Sequence, residues 1–336
     1  MKYKLKGDVL FLPIMNGVLF KNNKQSLIIN GNNHTYQLVD KLIPFLDGNY
    51  EINRLIEPLS EEYKKIILDL LSQLQQADFL KDVTNDSQHL LSVDEHNTYN
   101  SHIAFLGHFS NQPIEAFYRY RKSKILACGS GQSLVHLVKS LLESGIEVVE
   151  YVICGNEETY IDEQIQNIYL YYKEVDPSIK LVKNKSVSFQ EQDLIKVFSE
   201  YETIAFLSSE ANLDRVKQIN NILRTLNKNY ILGVNNKGRY SVGPLINMTS
   251  KQCWECFMHR ELIHNKRDKD NIEYATVTSI LANTMVYELF QSTIQQSDRD
   301  KFAYMINGFT LKSEGKIVEQ HKMCSCCNKL NMLVRE

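Results

Sequence analysis

The chain has 336 residues, 43% of them apolar, enough to bury a full core in about two domains. A formal net charge of -2, with Lys and Arg interspersed among Asp and Glu, supplies no basic field for phosphate backbones or an anionic membrane, so neither nucleic acid nor membrane is an expected partner. Pro13, Asn16 and Gly17 interrupt the first apolar stretch, which fits neither a signal peptide nor a membrane span, and a cytoplasmic protein is expected.

In chain order, Val9–Leu12, Gly17–Phe20 and Ser26–Ile29 are short apolar runs separated by Asn, Lys and Gly, and read as three antiparallel strands between Asp8 and Asn30. Three helical patterns follow over Gln37–Leu46, Ile52–Leu59 and Ser60–Phe79. In the third, Ser60 is the cap and Tyr63, Ile66, Ile67, Leu70, Leu71 and Leu74 form one apolar stripe. Three strands and three helices within residues 1–82 predict a winged-helix-like unit. Its last helix carries Glu61, Glu62, Asp69 and Asp78 against Lys64 and Lys65, which disfavours entry into a DNA groove.

The polar stretch Lys81–Thr98 has no helical or strand period and reads as a linker, with residues 83–120 leading into a second domain over 121–336. There, strands at Ile125–Cys128, Val148–Ile153, near Leu181, at Ile204–Leu207 and at Tyr230–Val234 alternate with helices at Leu134–Leu142, Ile161–Tyr172 and Leu213–Leu226. This is the pattern of a mostly parallel α/β sheet covered on both faces. A later helix, Tyr274–Phe290, carries small residues suited to a dimer interface.

Cys253-Trp-Glu-Cys256 and Cys324-Ser-Cys-Cys327 each present two thiolates across a tight turn. Together they supply the four ligands of a closed structural Zn²⁺ site, with Cys326 a bystander. Four sulfurs leave the ion no open position, so it staples rather than catalyses. His259, His264 and His321 flank the pairs but are not needed as ligands, and Trp254 is expected to pack.

Gly129 and Gly131 match the first two glycines of a G-x-G-x-x-G phosphate loop between strand and helix, while Leu134 stands where the third would be. The strand ending at Ile153 leads into Cys154-Gly155, where a ribose-binding acid belongs; Glu157 and Glu158 are out of register.

From Lys124 to Met332 the chain resembles the ubiquitin-activating-enzyme-like (ThiF-like) adenylating proteins. The resemblance rests on the loop at Gly129, Ser208-Ser209-Glu210 after a strand, Gly243-Pro244-Leu245 before the first cysteine pair, and the second pair near the end. It implies a Rossmann-like fold whose magnesium-associated acid falls at Glu210 and whose phosphate-binding Arg is missing, since residues 157–172 contain no Arg. Gly129, Gly131 and Glu210 are then a vestigial nucleotide site, and ATP is not an expected cofactor.

The first 80 residues resemble the leader-peptide recognition element of ribosomal-peptide pathways, and the combination resembles the ocin-ThiF-like scaffold proteins of thiazole/oxazole-modified peptide and thiopeptide biosynthesis. That resemblance implies a non-catalytic adaptor, which binds a precursor's leader and presents it to a YcaO-type cyclodehydratase for azoline formation. An azoline dehydrogenase and a second copy of the chain are further implied partners. The rival is an ATP-dependent adenylating enzyme acting on a peptide or carrier-protein C-terminus. Strand addition at a sheet edge predicts leader contacts at Ser26, Leu27, Ile28, Ile29 and Asn30, with apolar pockets from Tyr63, Ile67, Leu70, Leu71 and Leu74.

Overall fold

A computed structural model of the chain describes residues 1–31, 33–84, 90–110, 112–154, 158–184, 187–208, 213–236, 238–261, 274–292 and 302–327. These form two compact units, Met1–Tyr118 and Arg119–Glu336.

The first unit runs β1 (Lys2–Leu5), β2 (Leu10–Ile14), β3 (Gly17–Lys21), β4 (Ser26–Asn30), α1 (Asn33–Leu42), β5 (Asp47–Glu51), α2 (Ile52–Ile56), α3 (Glu61–Gln76), β6 (Leu80–Asp82), α4 (Val93–Thr98) and α5 (Asn100–Leu106), and α6 (Pro113–Arg121) carries the chain across the boundary at Tyr118. Strands β2, β3 and β4 make the expected antiparallel meander. Its inner face gives Val18, Phe20 and Ile29 to a core shared with Ile67, Leu70, Leu71, Leu74 and Phe79. Gly17 sits at φ 139°, and a Cβ there would lie 1.9 Å from the carbonyl oxygen of Ile29, so only glycine lets β3 start against β4. Ser60 caps α3 by accepting from the backbone N–H of Tyr63, and Glu61 and Glu62 favour the positive end of the helix dipole.

Among the described residues six strands, not three, belong to this unit. The second sheet has order β5-β1-β6, with β1 antiparallel to both neighbours. Its strands carry weak local signals: Asp47-Gly48-Asn49 is poor in strand-forming residues and reads as a helix stop, yet Gly48 at φ 92° opens β5. The first predicted helix starts earlier and ends at Leu42, because Pro44 converts Ile43–Phe45 to a 3-10 turn. The linker reading of Lys81–Thr98 fails over Val93–Thr98. Ser92 and Glu95 form a reciprocal capping box there, a signal present in the sequence as Ser-x-x-Glu.

The second unit continues with β7 (Ile125–Gly129), α7 (Gly131–Glu143), β8 (Val148–Ile153), α8 (Glu158–Val175), β9 (Lys180–Lys183), α9 (Glu191–Ser199), β10 (Thr203–Ser208), α10 (Leu213–Thr225), β11 (Asn229–Asn236), β12 (Arg239–Val242), α11 (Trp254–Glu261), α12 (Ala275–Ser292), β13 (Phe302–Asn307) and β14 (Ser313–Ile317). One eight-stranded sheet has order β14-β13-β12-β11-β10-β7-β8-β9. The five strands from β11 to β9 are parallel, and β12, β13 and β14 extend them as an antiparallel wing. All five residues of β7 are buried, as expected for a parallel strand covered on both faces. The chain leaves β7 for β8 on one side and later returns to β10 on the other, which puts the switch of strand order at the carboxyl end of β7. Among the described residues no helix is long and apolar enough to cross a membrane.

Candidate functional site

Cys253 and Cys256 lie at the start of α11, and Cys324 and Cys327 in the turns after β14. The fold brings together all four, buried, with their sulfurs within 4.8 Å of one another. The Sγ separations are 3.6 Å for Cys253 to Cys324, 3.6 Å for Cys256 to Cys327 and 3.9 Å for Cys253 to Cys256. Four sulfurs about 2.3 Å from a central ion at tetrahedral angles stand about 3.8 Å apart, so the cage has the size of an S₄ metal site.

Hydrogen-bond donors point at two of the sulfurs, as anionic thiolate ligands require. The Asn220 carboxamide donates to Cys253 Sγ at 3.7 Å, and the His321 backbone N–H donates to Cys256 Sγ at 3.4 Å. The Tyr230 hydroxyl donates to Asn220 Oδ1 at 2.7 Å, which fixes the amide so that its nitrogen faces the sulfur. Burial pushes the Tyr230 phenol well up, so it stays a neutral donor. Neither Asn220 nor Tyr230 carries a sequence signal; α10 and β11 deliver them from outside the motif.

Cys326 stands outside the four and lines a cavity of about 540 Å³ beside α9 and α10. His259 and His321 stack on each other at 4.9 Å rather than entering the cage, Trp254 is fully buried, and His264 lies outside the described residues. Burial pushes Cys128 well above the ordinary thiol range and Cys154 up to about 12, so both stay protonated and inert.

At the glycine loop, Gly129 ends β7 and Gly131 opens α7 at φ 57°. A Cβ on Gly129 would lie 2.1 Å from the Leu207 carbonyl oxygen, so the sheet itself demands this glycine whether or not a phosphate binds. Ser130 precedes α7 without capping it, and its buried Oγ has no hydrogen-bond partner among the described residues. Leu134 is fully buried. Glu210, Gly155 and Glu157 lie outside the described residues, so the structure brings together only the glycines of the expected nucleotide set.

At the N-terminal sheet, Ser26, Ile28 and Asn30 are exposed, Leu27 is half-buried and Ile29 is buried. The Asn22 N–H donates to the Gln25 carbonyl and the Gly31 N–H to the Asn16 carbonyl, which phases the β3–β4 ladder. Alternation then commits the backbone groups of Leu27 and Ile29 to β3 and turns those of Ser26, Ile28 and Asn30 to the open edge. The predicted helix residues divide differently from the expectation. Ile67, Leu70, Leu71 and Leu74 are at most 4% exposed and belong to the core, while Tyr63 is 56% exposed. One apolar stripe does not reveal how much of it a core will cover, and here its inner half is covered.

No protein-family model matches the chain, and no curated protein matches it. Solved structures do. Escherichia coli MccB with AMPCPP and MccA is 17% identical, with a TM-score of 0.68 over 97% of this chain and 99% of that one. The fold is that of MccB. The microcin C7 biosynthetic enzyme MccB in complex with N-formylated MccA is 15% identical, with a TM-score of 0.66 over 97% of this chain and 100% of that one. A heterocyclase in complex with substrate and cofactor is 12% identical, with a TM-score of 0.60, and this chain spans 40% of its length. The MccB fold thus runs through both units, and the larger heterocyclase contains a region of the same shape.

Proposed function

We propose that the chain is a non-catalytic adaptor, stapled by Zn²⁺, which captures the leader of a ribosomally made precursor peptide on the edge of β4 and presents it to a YcaO-type cyclodehydratase. The edge strands carry this reading. Among the described residues the three sheets end in β2, β4, β5, β6, β9 and β14. Pro13 interrupts β2, and the other four carry Asp, Glu or Lys, devices that discourage strand pairing. Strand β4, Ser26-Leu-Ile-Ile-Asn30, has neither proline nor charge, which suits strand addition. Likeness in fold to MccB solved with MccA and to a heterocyclase solved with substrate supports a substrate-presenting role.

The identity of the metal rests on the ligand set: four thiolates in a closed tetrahedral cage suit Zn²⁺, a structural ion in such sites. Titration of the chain with the leader of a short Cys/Ser/Thr-rich precursor encoded beside it should give saturable binding, and Ile28→Pro should weaken it by removing an outward N–H. Unchanged affinity would place the docking site elsewhere.

The adenylating reading has its own support, in the unpartnered Ser130 Oγ beside α7 and in MccB solved with ATP. ATP–pyrophosphate exchange separates the two. The adaptor gives none, and exchange that Glu210→Ala abolishes would overturn it.

A further inference from the structure

The solvent face of the β2-β3-β4 sheet carries an apolar row that ends at the open edge. Leu12 pairs with Leu19, and Leu19 pairs with Ile28, so the three side chains lie side by side on the face opposite Val18, Phe20 and Ile29. Leu12 is 54% exposed and Ile28 52% exposed. The flanking cross-strand rows on this face are Leu10–Lys21–Ser26 and Ile14–Gly17–Asn30, so the apolar surface is three residues long on β2 and narrows to one residue on β3 and β4. It reaches the edge at Ile28, the central residue of the three whose backbone groups point outward.

A strand added to β4 must meet this row. Whether it runs parallel or antiparallel, the residue directly opposite Ile28 projects its side chain to the same face as Ile28, about 5 Å away. Its two neighbours in the added strand project to the other face, beside Leu27 and Ile29. Resting on the docking edge proposed above, we infer that the bound peptide is read on both faces and that its recognition segment is a continuous run of three large apolar residues. The central residue packs on Ile28 and extends the row Leu12–Leu19–Ile28. An alternating apolar and polar peptide would satisfy the inner face and leave this row in water. A charge opposite Ile28 would be excluded, which makes the row a specificity element as well as a source of affinity.

The test uses a phage-displayed library of random 12-residue peptides panned on the full chain, with the strongest binder then synthesised. Enriched peptides should share three consecutive large apolar residues. N-methyl groups walked along the binder should abolish binding at every second position, the mark of strand addition, without touching the protein. Replacing the central apolar residue by Ser should weaken binding about tenfold on the natural chain and hardly at all on Ile28→Ser, a variant that keeps its backbone N–H. If the N-methyl walk is periodic but Ile28→Ser binds with full affinity, the edge stands and the outer-face reading is wrong. A walk without period, or a library without enrichment, overturns the docking edge and this inference together. A peptide-free, concentration-dependent dimer lost in Ile28→Pro would assign the edge to a second copy of the chain and overturn both.

Discussion

The Asn220 carboxamide donates to Cys253 Sγ from α10, an element with no cysteine of its own, while the Tyr230 hydroxyl holds the amide from behind at 2.7 Å. The cage is therefore built into the sheet rather than hung on its end. Outer-shell donors of this kind orient a ligand and offset its negative charge. Asn220→Leu is expected to weaken metal affinity by about 10- to 100-fold, measured by competition with a chromophoric chelator. A variant with natural affinity would reduce the contact to packing.

Removing the metal should act on one unit first. The four sulfurs are buried in the same core cluster as Trp254, Phe257, Tyr230 and Phe206, whereas the first unit has a separate core around Phe20, Leu74 and Phe79. Without the cation, four packed thiols lose their common partner and the cluster opens. Chelation should unfold the Arg119–Glu336 unit at a lower temperature while hydrogen exchange in β2, β3 and β4 stays slow. Simultaneous loss in both units would contradict this.

A buried ion pair supplies a second point of failure. Arg121 is fully buried, donates to Asp176 Oδ2 at 2.7 Å and to the Gly145 carbonyl at 2.8 Å, and also bonds Ser178. Asp176→Ala leaves a guanidinium in the interior with part of its partners gone. That change is expected to cost about 3–5 kcal/mol in denaturant titration. Arg121→Met with Asp176→Leu removes both charges and should recover most of the loss.

The sequence made the second unit more legible than the first, for a physical reason. Parallel strands such as Ile125–Gly129 are apolar throughout and alternate with amphipathic helices, so β7, β8, β10 and β11 and the intervening helices α7 and α10 fall close to expectation. The four metal-site cysteines announce themselves by spacing. By contrast, β1, β5 and β6 are short and rich in Lys, Asp and Asn, and only pairing with one another makes them strands. Burial within an apolar stripe was equally hidden. Ile67 and Leu70 look no different in sequence from Ile66, which is 46% exposed, because the core that separates them is formed by distant Val18, Phe20 and Ile29. The phase of β4 was hidden as well. Leu27 seems as good a probe of the edge as Ile28, but its N–H belongs to β3, and Leu27→Pro would damage the sheet instead of testing the edge.

Lys81 makes the first unit pH-sensitive. Its side chain is buried and its ammonium donates to the Ser110 carbonyl at 2.9 Å. Burial, helped by Lys6 and Lys4, draws its pKa down to about 8 against the opposing carboxylates of Asp78 and Asp8. An unfolded chain holds this proton up to about 10.4. Between those values the unfolded state therefore binds more protons than the folded one, and stability rises with pH. Below about 8 both states are charged and the burial cost is present in full. The contribution to the slope is at most about 1.4 kcal/mol per pH unit, reached only where the folded amine is fully neutral and the unfolded one fully charged. Denaturant titrations of the natural chain and Lys81→Met from pH 7 to 10 check this. The natural chain should gain stability relative to the variant as pH rises, and parallel curves would show that Lys81 keeps its proton throughout.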